Sequence, residues 1–334
     1  MLNTFIEKLI DRKDLTRQES QKALEEMLLA CDSPQTAAFL VLMRAKGETA
    51  EELTGIIEGM RKRMVPVHVK FPVLDIVGTG GDKSHTVNIS TGSSILAASC
   101  GVKVAKHGNR SVSSLCGSAD VLEALGMQID LSAEQVAESI ENKGIGFMFA
   151  PNFHPAMMAL RDTRKKLQVR TLFNLIGPLL NPAGAQHQMI GVFNENLVPL
   201  FAQLLQRLGT KRSLVFHGNG LDELSCMGPA KALEVTPDKI EPLVLDPRDF
   251  GFSPCTLDDL KGGKAQENAQ LLLDAFQGKE GEIADTLAFN AGAAIKLYGI
   301  AQTYEEGITL AKRALKEGAA EELLAKWRSV CTTI

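Results

Sequence analysis

Leu74-Asp75-Ile76-Val77-Gly78-Thr79-Gly80-Gly81-Asp82 decides the fold, because an apolar run stops there at three glycines within four residues. Such a run reads as a buried strand that feeds a tight turn with open backbone. Gly78, Gly80 and Gly81 lack a Cβ, so consecutive N–H groups can converge on an anion that bulkier residues would hold away. Asn88-Ile89-Ser90-Thr91 follows and leads into Gly92-Ser93-Ser94-Ile95-Leu96-Ala97-Ala98, which predicts a helix. Its first turn would add unpaired N–H groups and partial positive charge at the same place. Two familiar phosphate loops are excluded. A dinucleotide fingerprint beginning at Gly78 requires glycine where Lys83 stands, and a Walker A loop ending at Lys83-Ser84 requires glycine where Asp82 and Val77 stand. A second strand, Val102 to Ala105, precedes Lys106-His107-Gly108-Asn109-Arg110-Ser111-Val112-Ser113-Ser114. That run has two cations and three hydroxyls around one aliphatic side chain, so it contributes nothing to a core and argues against a merely structural glycine turn.

Outward from this centre, four helices precede any strand: Leu2 to Ile10, Thr16 to about Leu29, Ser33-Pro34 to Lys46-Gly47, and Thr49 to about Met64. Thr16 with Glu19 and Thr49 with Glu52 have capping-box spacing, and Pro34 suits a first helical turn. The composition changes across residues 65–70, which predicts a helical lobe joined to an α/β lobe. From Phe71 onward short apolar runs alternate with helical patterns, as in a parallel sheet of βαβ units. Helices are expected from Ser118 to Leu125 and Ser132 to Asn142, then a strand from Ile145 to Ala150. Two further helices, Met157 to Leu167 and Arg170 to Ile176, interrupt the alternation. Strands return at Met189 to Phe193 and Ser213 to Phe216 around a helix from Asn196 to Leu208, Val235 to Leu245 reads as a hairpin, and helices follow to Trp327.

The 334 residues carry a net charge of −4, so no global basic field gathers nucleic acid or acidic lipid. Cys31, Cys100, Cys116, Cys226, Cys255 and Cys331 form no C-x-x-C pair, which argues against a zinc site or a disulfide framework and for reduced thiols in the cytoplasm. Met1 to Asp14 lacks the unbroken apolar stretch of a signal peptide, and no window is apolar enough to span a membrane. Asp222-Glu223 follows the strand ending near His217 and so lies at the carboxyl end of the sheet, where open α/β sheets place ligands. Adjacent carboxylates there suit Mg²⁺, although such a pair on its own is usually a solvated turn. Arg164, in Arg161-Asp162-Thr163-Arg164-Lys165-Lys166, could equally be one more charge on a helix face. His107 and His154 have no acid–base partner in the sequence and read as neutral wall residues, and Cys116 as a small buried residue.

Taken together, GTGGD at 78–82, NIST at 88–91, KHGNRSVSS at 106–114 and GSADVLEALG at 117–126 resemble the anthranilate phosphoribosyltransferase family of tryptophan biosynthesis. The resemblance implies an α/β fold of the nucleoside-phosphorylase-like phosphoribosyltransferase type, with a small all-helical lobe and a larger lobe built on a mostly parallel central sheet flanked by helices. It implies a helical domain of residues 1–69, with 163–184 packed back on it as part of a homodimer interface, and an α/β domain of 70–162 and 185–334. It implies phosphoribosyl pyrophosphate contacts at Gly78, Gly81, Asp82, Thr86, Asn88, Ile89, Ser90, Thr91, Lys106, His107, Gly108, Asn109, Arg110, Ser111, Val112, Ser113, Ser114 and Ser118. Anthranilate contacts are implied at Gly78, Asn109 and Arg164, and two Mg²⁺ per chain held by Ser90, Asp222 and Glu223. The family commonly has glycine and phenylalanine where Lys83 and Val87 stand here. Two alternatives are a pyrimidine nucleoside phosphorylase and a non-catalytic nucleic-acid-binding relative. The first family is longer and lacks the intact 106–114 run, and the second calls for a basic surface and a lost acidic pair.

Overall fold

The structure is a computed structural model in which residues 2–31, 33–82, 84–111 and 115–328 are described. The expectations placed on Lys83, Val112, Ser113, Ser114 and Cys331 lie outside the described residues. Four helices come first: α1 (Leu2–Ile10), α2 (Arg17–Leu29), α3 (Pro34–Lys46) and α4 (Ala50–Arg61). Their starts are fixed by the signals in the sequence. Thr16 and Thr49 form capping boxes with Glu19 and Glu52, while the Ser33 hydroxyl accepts from the Thr36 N–H. Glu52 goes beyond capping. Its fully buried carboxylate accepts from Leu15 N at 2.9 Å, Thr49 N at 2.9 Å and Lys46 Nζ at 3.0 Å, tying the starts of α2 and α4 to the end of α3.

The larger lobe contains β1 (Leu74–Gly78), α5 (Ile89–Ser99), β2 (Val104–Gly108), α6 (Ser118–Ala124), α7 (Ala133–Lys143) and β3 (Ile145–Phe149). Three short helices follow, α8 (Ala150–Phe153), α9 (Pro155–Ala159) and α10 (Arg161–Leu167). Then come β4 (His187–Gly191), α11 (Val198–Arg207), β5 (Arg212–His217), β6 (Ala230–Val235), β7 (Ile240–Leu245), α12 (Ala265–Phe276), α13 (Glu282–Tyr298), α14 (Tyr304–Lys316) and α15 (Ala319–Arg328). The sheet order is β3-β2-β1-β4-β5-β6-β7, parallel from β3 to β5 and antiparallel across β6 and β7. From β1 the chain moves outward to β2 and β3, then crosses back to lay β4 on the other flank of β1. That reversal makes the crevice beyond the carboxyl ends of β1 and β4 the topological switch point.

Several details differ from the sequence reading. The second strand, expected at Val102 to Ala105, runs from Val104 to Gly108, so Lys106 and His107 are buried strand residues and not part of a loop outside the core, and β4 starts two residues before the expected Met189. The hairpin begins at Ala230, with its turn at 236–239, because Ala230 and Ala232 already pack against one face of the sheet while Leu233 and Val235 pack against the other, as successive residues of one strand do. The expected helix from Met157 to Leu167 is divided at Leu160, which is fully buried, and it starts earlier because Pro151 and Pro155 occupy first-turn positions that tolerate proline. The expected helix from Arg170 to Ile176 shrinks to single 3₁₀ turns at Leu172–Asn174 and Gly177–Leu179; the Asn174 side chain accepts from Thr171 N, and Gly177-Pro178 prevents extension.

One apolar cluster joins the four N-terminal helices to Leu160, Leu172, Phe173, Ile176 and Leu179, and runs on to Ile190, Phe201 and Val215 under α11. A second fills the opposite face of the sheet with α5, α13, α14 and α15. Replacing Glu52 by Ala leaves Lys46 and the Leu15 N–H without their shared buried acceptor. Urea unfolding should show a loss of about 3 kcal/mol for Glu52→Ala, and a smaller loss for Glu52→Gln, which still accepts a hydrogen bond.

Candidate active site at the sheet switch point

β1 and β4 pair in register so that Gly78 lies beside Gly191, and both strands end there. Neither end carries a side chain. The loop after β5 uses that space: a Cβ on Gly78 would lie 2.4 Å from Asp222 Oδ2, and one on Gly191 would lie 1.7 Å from the Asp222 carbonyl oxygen. Asp222 Oδ2 in turn accepts from Gly80 N at 2.5 Å, across 142 residues of chain. The glycine turn and the acidic loop therefore form one surface. Gly81 takes a left-handed φ of 87°, a conformation that suits glycine.

Burial, with Asp82 nearby, raises the Asp222 carboxyl. Burial and Asp222 raise Glu223 well above its ordinary range. Glu223 accepts from Ser90 N at the start of α5, at 3.3 Å. Lys106, on β2, is 1% exposed; its ammonium donates to Ile76 O at 2.8 Å and Ser90 Oγ at 3.4 Å. Burial lowers its pKa while Asp75 and Glu223 oppose the loss of its proton. Crowded, desolvated carboxylates of this kind fit a divalent cation, whose charge would relieve their repulsion. Among the described residues no three His, Cys, Asp or Glu side chains form a ready-made metal cage. A small set of carboxylate and hydroxyl oxygens suits Mg²⁺, which keeps several waters in its shell.

Other expected residues are distributed around this centre. Asp82 accepts from Ser84 N at 3.1 Å and from its hydroxyl at 2.9 Å. Thr86 bridges to Lys261 across an isolated antiparallel pair. Asn88 precedes α5 without a side-chain cap; its amide spans Cys116 O at 3.2 Å and Asn268 at 2.8 Å instead. Ile89 and Val87 are buried supports. The Thr91 hydroxyl is buried with no hydrogen-bond partner among the described residues, in the first turn of α5. Gly108 and Asn109 close β2, and Asn109 Oδ1 accepts from Arg110 N at 2.7 Å. Asp120 accepts from both Ser111 N and Gly117 N, which ties Ser111 and Gly117 to α6 next to Ser118.

Arg110, expected to meet the pyrophosphate, is engaged by Asp120 and Glu123, because α6 presents two carboxylates one turn apart. Arg164 stands on α10, half-buried, 5.5 Å above the Phe173 ring, and burial lowers its pKa. No described hydrogen bond joins it to the glycine turn. Arg170 does reach the turn, donating to Gly81 O at 3.0 Å, and no periodicity or motif in the chain singles it out. The segment 260–268, which braces residues 85–88 through Leu260, Gly262 and Asn268, was equally unmarked.

The comparisons with known proteins fit this arrangement. Residues 3–64 match the helical bundle domain of the glycosyl transferase family, and residues 70–321 match its a/b domain. The fold and site are thus those of a two-part glycosyl transferase. The anthranilate phosphoribosyltransferase of Chlamydia felis is 46% identical over 328 residues, covering 98% of this chain and 96% of that one. A crystal structure of the enzyme of that name from Thermus thermophilus superposes with a TM-score of 0.92 at 40% identity, covering 97% and 98% of the two chains. The Saccharomyces cerevisiae enzyme, solved in complex with PRPP and Mg, gives 0.90 at 26% identity over 100% and 98%. The chain belongs to the anthranilate phosphoribosyltransferase family.

Beneath the site, His107 Nε2 and His154 Nε2 are 3.0 Å apart, and burial lowers the two imidazoles to about 3 and about 4. Unfolding frees them to bind protons near pH 6.5, so the unfolded state takes up more protons and their contribution to stability falls as pH drops from 7 to 5. Asp75, raised by burial to about 6, acts in the opposite sense between its unfolded and folded values. The comparison that isolates a histidine is therefore His154→Gln against the unsubstituted chain. The difference in unfolding free energy should move in favour of the variant by up to about 2 kcal/mol between pH 7 and pH 5.

Proposed function

We propose that this chain transfers the 5-phosphoribosyl group of phosphoribosyl pyrophosphate to the amine of anthranilate in tryptophan biosynthesis, giving N-(5-phosphoribosyl)anthranilate and pyrophosphate. The observation that carries this is the docking of Asp222 onto the glycine strand ends and of Glu223 onto the first turn of α5, in a chain of this family. The bond that forms joins the amine nitrogen to C1 of the ribose. The bond that breaks joins C1 to pyrophosphate, which leaves with the electron pair, and the amine proton passes to solvent.

The glycine turn from Gly78 to Asp82, the 86–91 segment and residues 106–118 receive the phosphoribosyl pyrophosphate. Thr91 and the N–H groups opening α5 supply donors to its phosphates. Ser90, Asp222 and Glu223 would hold Mg²⁺, two per chain, which when bound offsets negative charge on the pyrophosphate. Lys106 fixes the floor between β1 and α5. Arg164 grips the anthranilate carboxylate with two parallel hydrogen bonds, a geometry that a guanidinium fits, with Gly78 and Asn109 completing that side.

No general base is required. An aromatic amine is neutral at pH 7, and holding it in line with C1 supplies much of the acceleration. The neutrality of His107 and His154 supports their role as walls. We further assign residues 1–69 with 163–184 to a helical domain that forms a homodimer, the remainder to the α/β domain, and the protein to the cytoplasm; no described helix is long and apolar enough to cross a membrane. Nucleoside phosphorolysis and nucleic-acid binding are favoured by none of these features.

The test mixes the protein with phosphoribosyl pyrophosphate, Mg²⁺ and anthranilate and follows the loss of anthranilate fluorescence. Steady loss is expected, and none at micromolar enzyme would defeat the reading. Arg164→Ala should raise KM for anthranilate at least roughly tenfold, the size of a lost charged hydrogen bond. Asp222→Asn should raise the Mg²⁺ concentration needed for half-maximal rate.

A further inference from the structure

The glycine turn is held from a side that none of the expected site residues occupies. Thr79 N donates to Gly191 O at 3.0 Å, and the Thr79 hydroxyl accepts from Phe193 N at 3.1 Å, so the first residue of the turn is fixed to the end of β4. The Phe193 ring supports Arg170, whose guanidinium carbon lies 4.4 Å from the ring centroid. Arg170 Nη2 then donates to Gly81 O at 3.0 Å. Thr79, Phe193, Arg170 and Gly81 close a ring around the turn, while Asp222 holds Gly80 N from the other side. Space is tight: a Cβ on Gly81 would lie 2.0 Å from Arg170 Nη2.

Peptide geometry gives this ring a consequence. In a trans peptide the carbonyl and the following N–H point in opposite senses. Capturing the Gly81 carbonyl on Arg170 therefore fixes the opposite direction for the Asp82 N–H. An anion-binding turn needs its N–H groups converged and its carbonyls turned away, since a carbonyl facing a phosphate repels it. Arg170 performs that sorting at Gly81. It shares no described ion pair with a carboxylate, so its positive charge is not spent on a neighbour. Cation–π attraction to the ring face favours keeping the guanidinium over Phe193.

We infer that Arg170, seated on Phe193, is a positioning residue that sets the 79–82 turn for the diphosphate of the donor substrate. The inference rests on the proposed phosphoribosyl transfer and extends it to residues outside the expected contacts. It also links the two substrates: Arg170 lies six positions beyond Arg164, so the segment that holds the aromatic acid also shapes the diphosphate turn.

The experiment uses the full chain and the variants Arg170→Ala, Arg170→Lys and Phe193→Leu. Affinity for phosphoribosyl pyrophosphate with Mg²⁺ is measured by calorimetry, and KM for each substrate and kcat by the fluorescence assay. Arg170→Ala should weaken phosphoribosyl pyrophosphate binding roughly tenfold, the loss expected for one charge-assisted hydrogen bond. Its KM for that substrate should rise by the same factor, while KM for anthranilate stays within about twofold. Arg170→Lys keeps a donor but not the rigid guanidinium fork and should recover part of the loss. Phe193→Leu, which removes only the platform, should give a smaller loss. Unchanged phosphoribosyl pyrophosphate affinity in all three, with only a lower melting temperature, would overturn the inference. So would an effect confined to KM for anthranilate, because Arg170 would then be gripping the acid itself. If Arg170→Ala does not fold, the Lys and Leu variants decide. A chain that binds phosphoribosyl pyrophosphate without consuming anthranilate refutes the proposed transfer and leaves the calorimetric comparison to judge Arg170; a chain that does not bind it refutes both.

Discussion

Two neighbouring parallel strands that end side by side on glycine are the constraint from which the site is built. Gly78 and Gly191 leave a gap one side chain deep at the switch point, and the loop carrying Asp222 packs into it at distances no Cβ would permit. The position is costly for a carboxylate. Removal from water costs several kcal/mol per ion unless a partner offsets it, and here the nearest ionisable neighbours of Asp222 include two further acids. The fold accepts that cost because two large apolar clusters, one on each face of the sheet, stabilise the strands on which the loop sits. Local unfavourable electrostatics at a site supported by an otherwise consistent core is the usual signature of function.

A second polar layer lies directly beneath. Asn181 donates from one amide to Asp75 Oδ2 at 2.7 Å and to Ala105 O at 2.8 Å, and Gln188 Nε2 donates to Pro178 O at 3.0 Å. These bonds latch the 177–182 turn to the middle of the sheet, at β1, β2 and β4. That turn follows directly on the segment bearing Arg164 and Arg170, so the latch anchors the end of that segment to the sheet. Apolar contact alone would leave the segment free to slide; directional bonds from an amide with two fixed acceptors do not.

Much of this was legible in the sequence wherever the determining interaction is local. Capping boxes at Thr16 and Thr49, the stop at Gly78 and the helix start after Asn88 depend on residues within one turn of each other, and they fall where the pattern placed them. The helix forecast over Arg170 to Ile176 failed for an equally local reason: the Asn174 side chain competes with the backbone for Thr171 N. What the sequence could not convey is registry. Gly191 looks like any strand-ending glycine until β4 is known to pair with β1, and Asn268 is an ordinary amide on α12 until it meets Asn88 180 residues away. Arg170 was hidden among basic neighbours because its role comes from Phe193 and Gly81, neither of which is close to it in the chain.

The order of charge around the crevice accounts for how an acidic chain can receive a polyanion. With a net charge of −4 there is no long-range field to draw such a substrate in. The acids Asp82, Asp222 and Glu223 stand at the centre, and the nearby cations occupy separate directions: Lys106 below, within the sheet, Arg170 against the glycine turn, and Arg164 on the helical segment beyond it. A phosphate facing the acids alone would be repelled; a divalent cation between them turns the same carboxylates into attraction. Under the proposed transfer the central acids would favour a metal-bound donor substrate, with Arg164 left to a carboxylate and Arg170 to the turn itself. On that reading, separation of the two charge types between sheet and helical segment gives two anionic substrates distinct partners in one crevice.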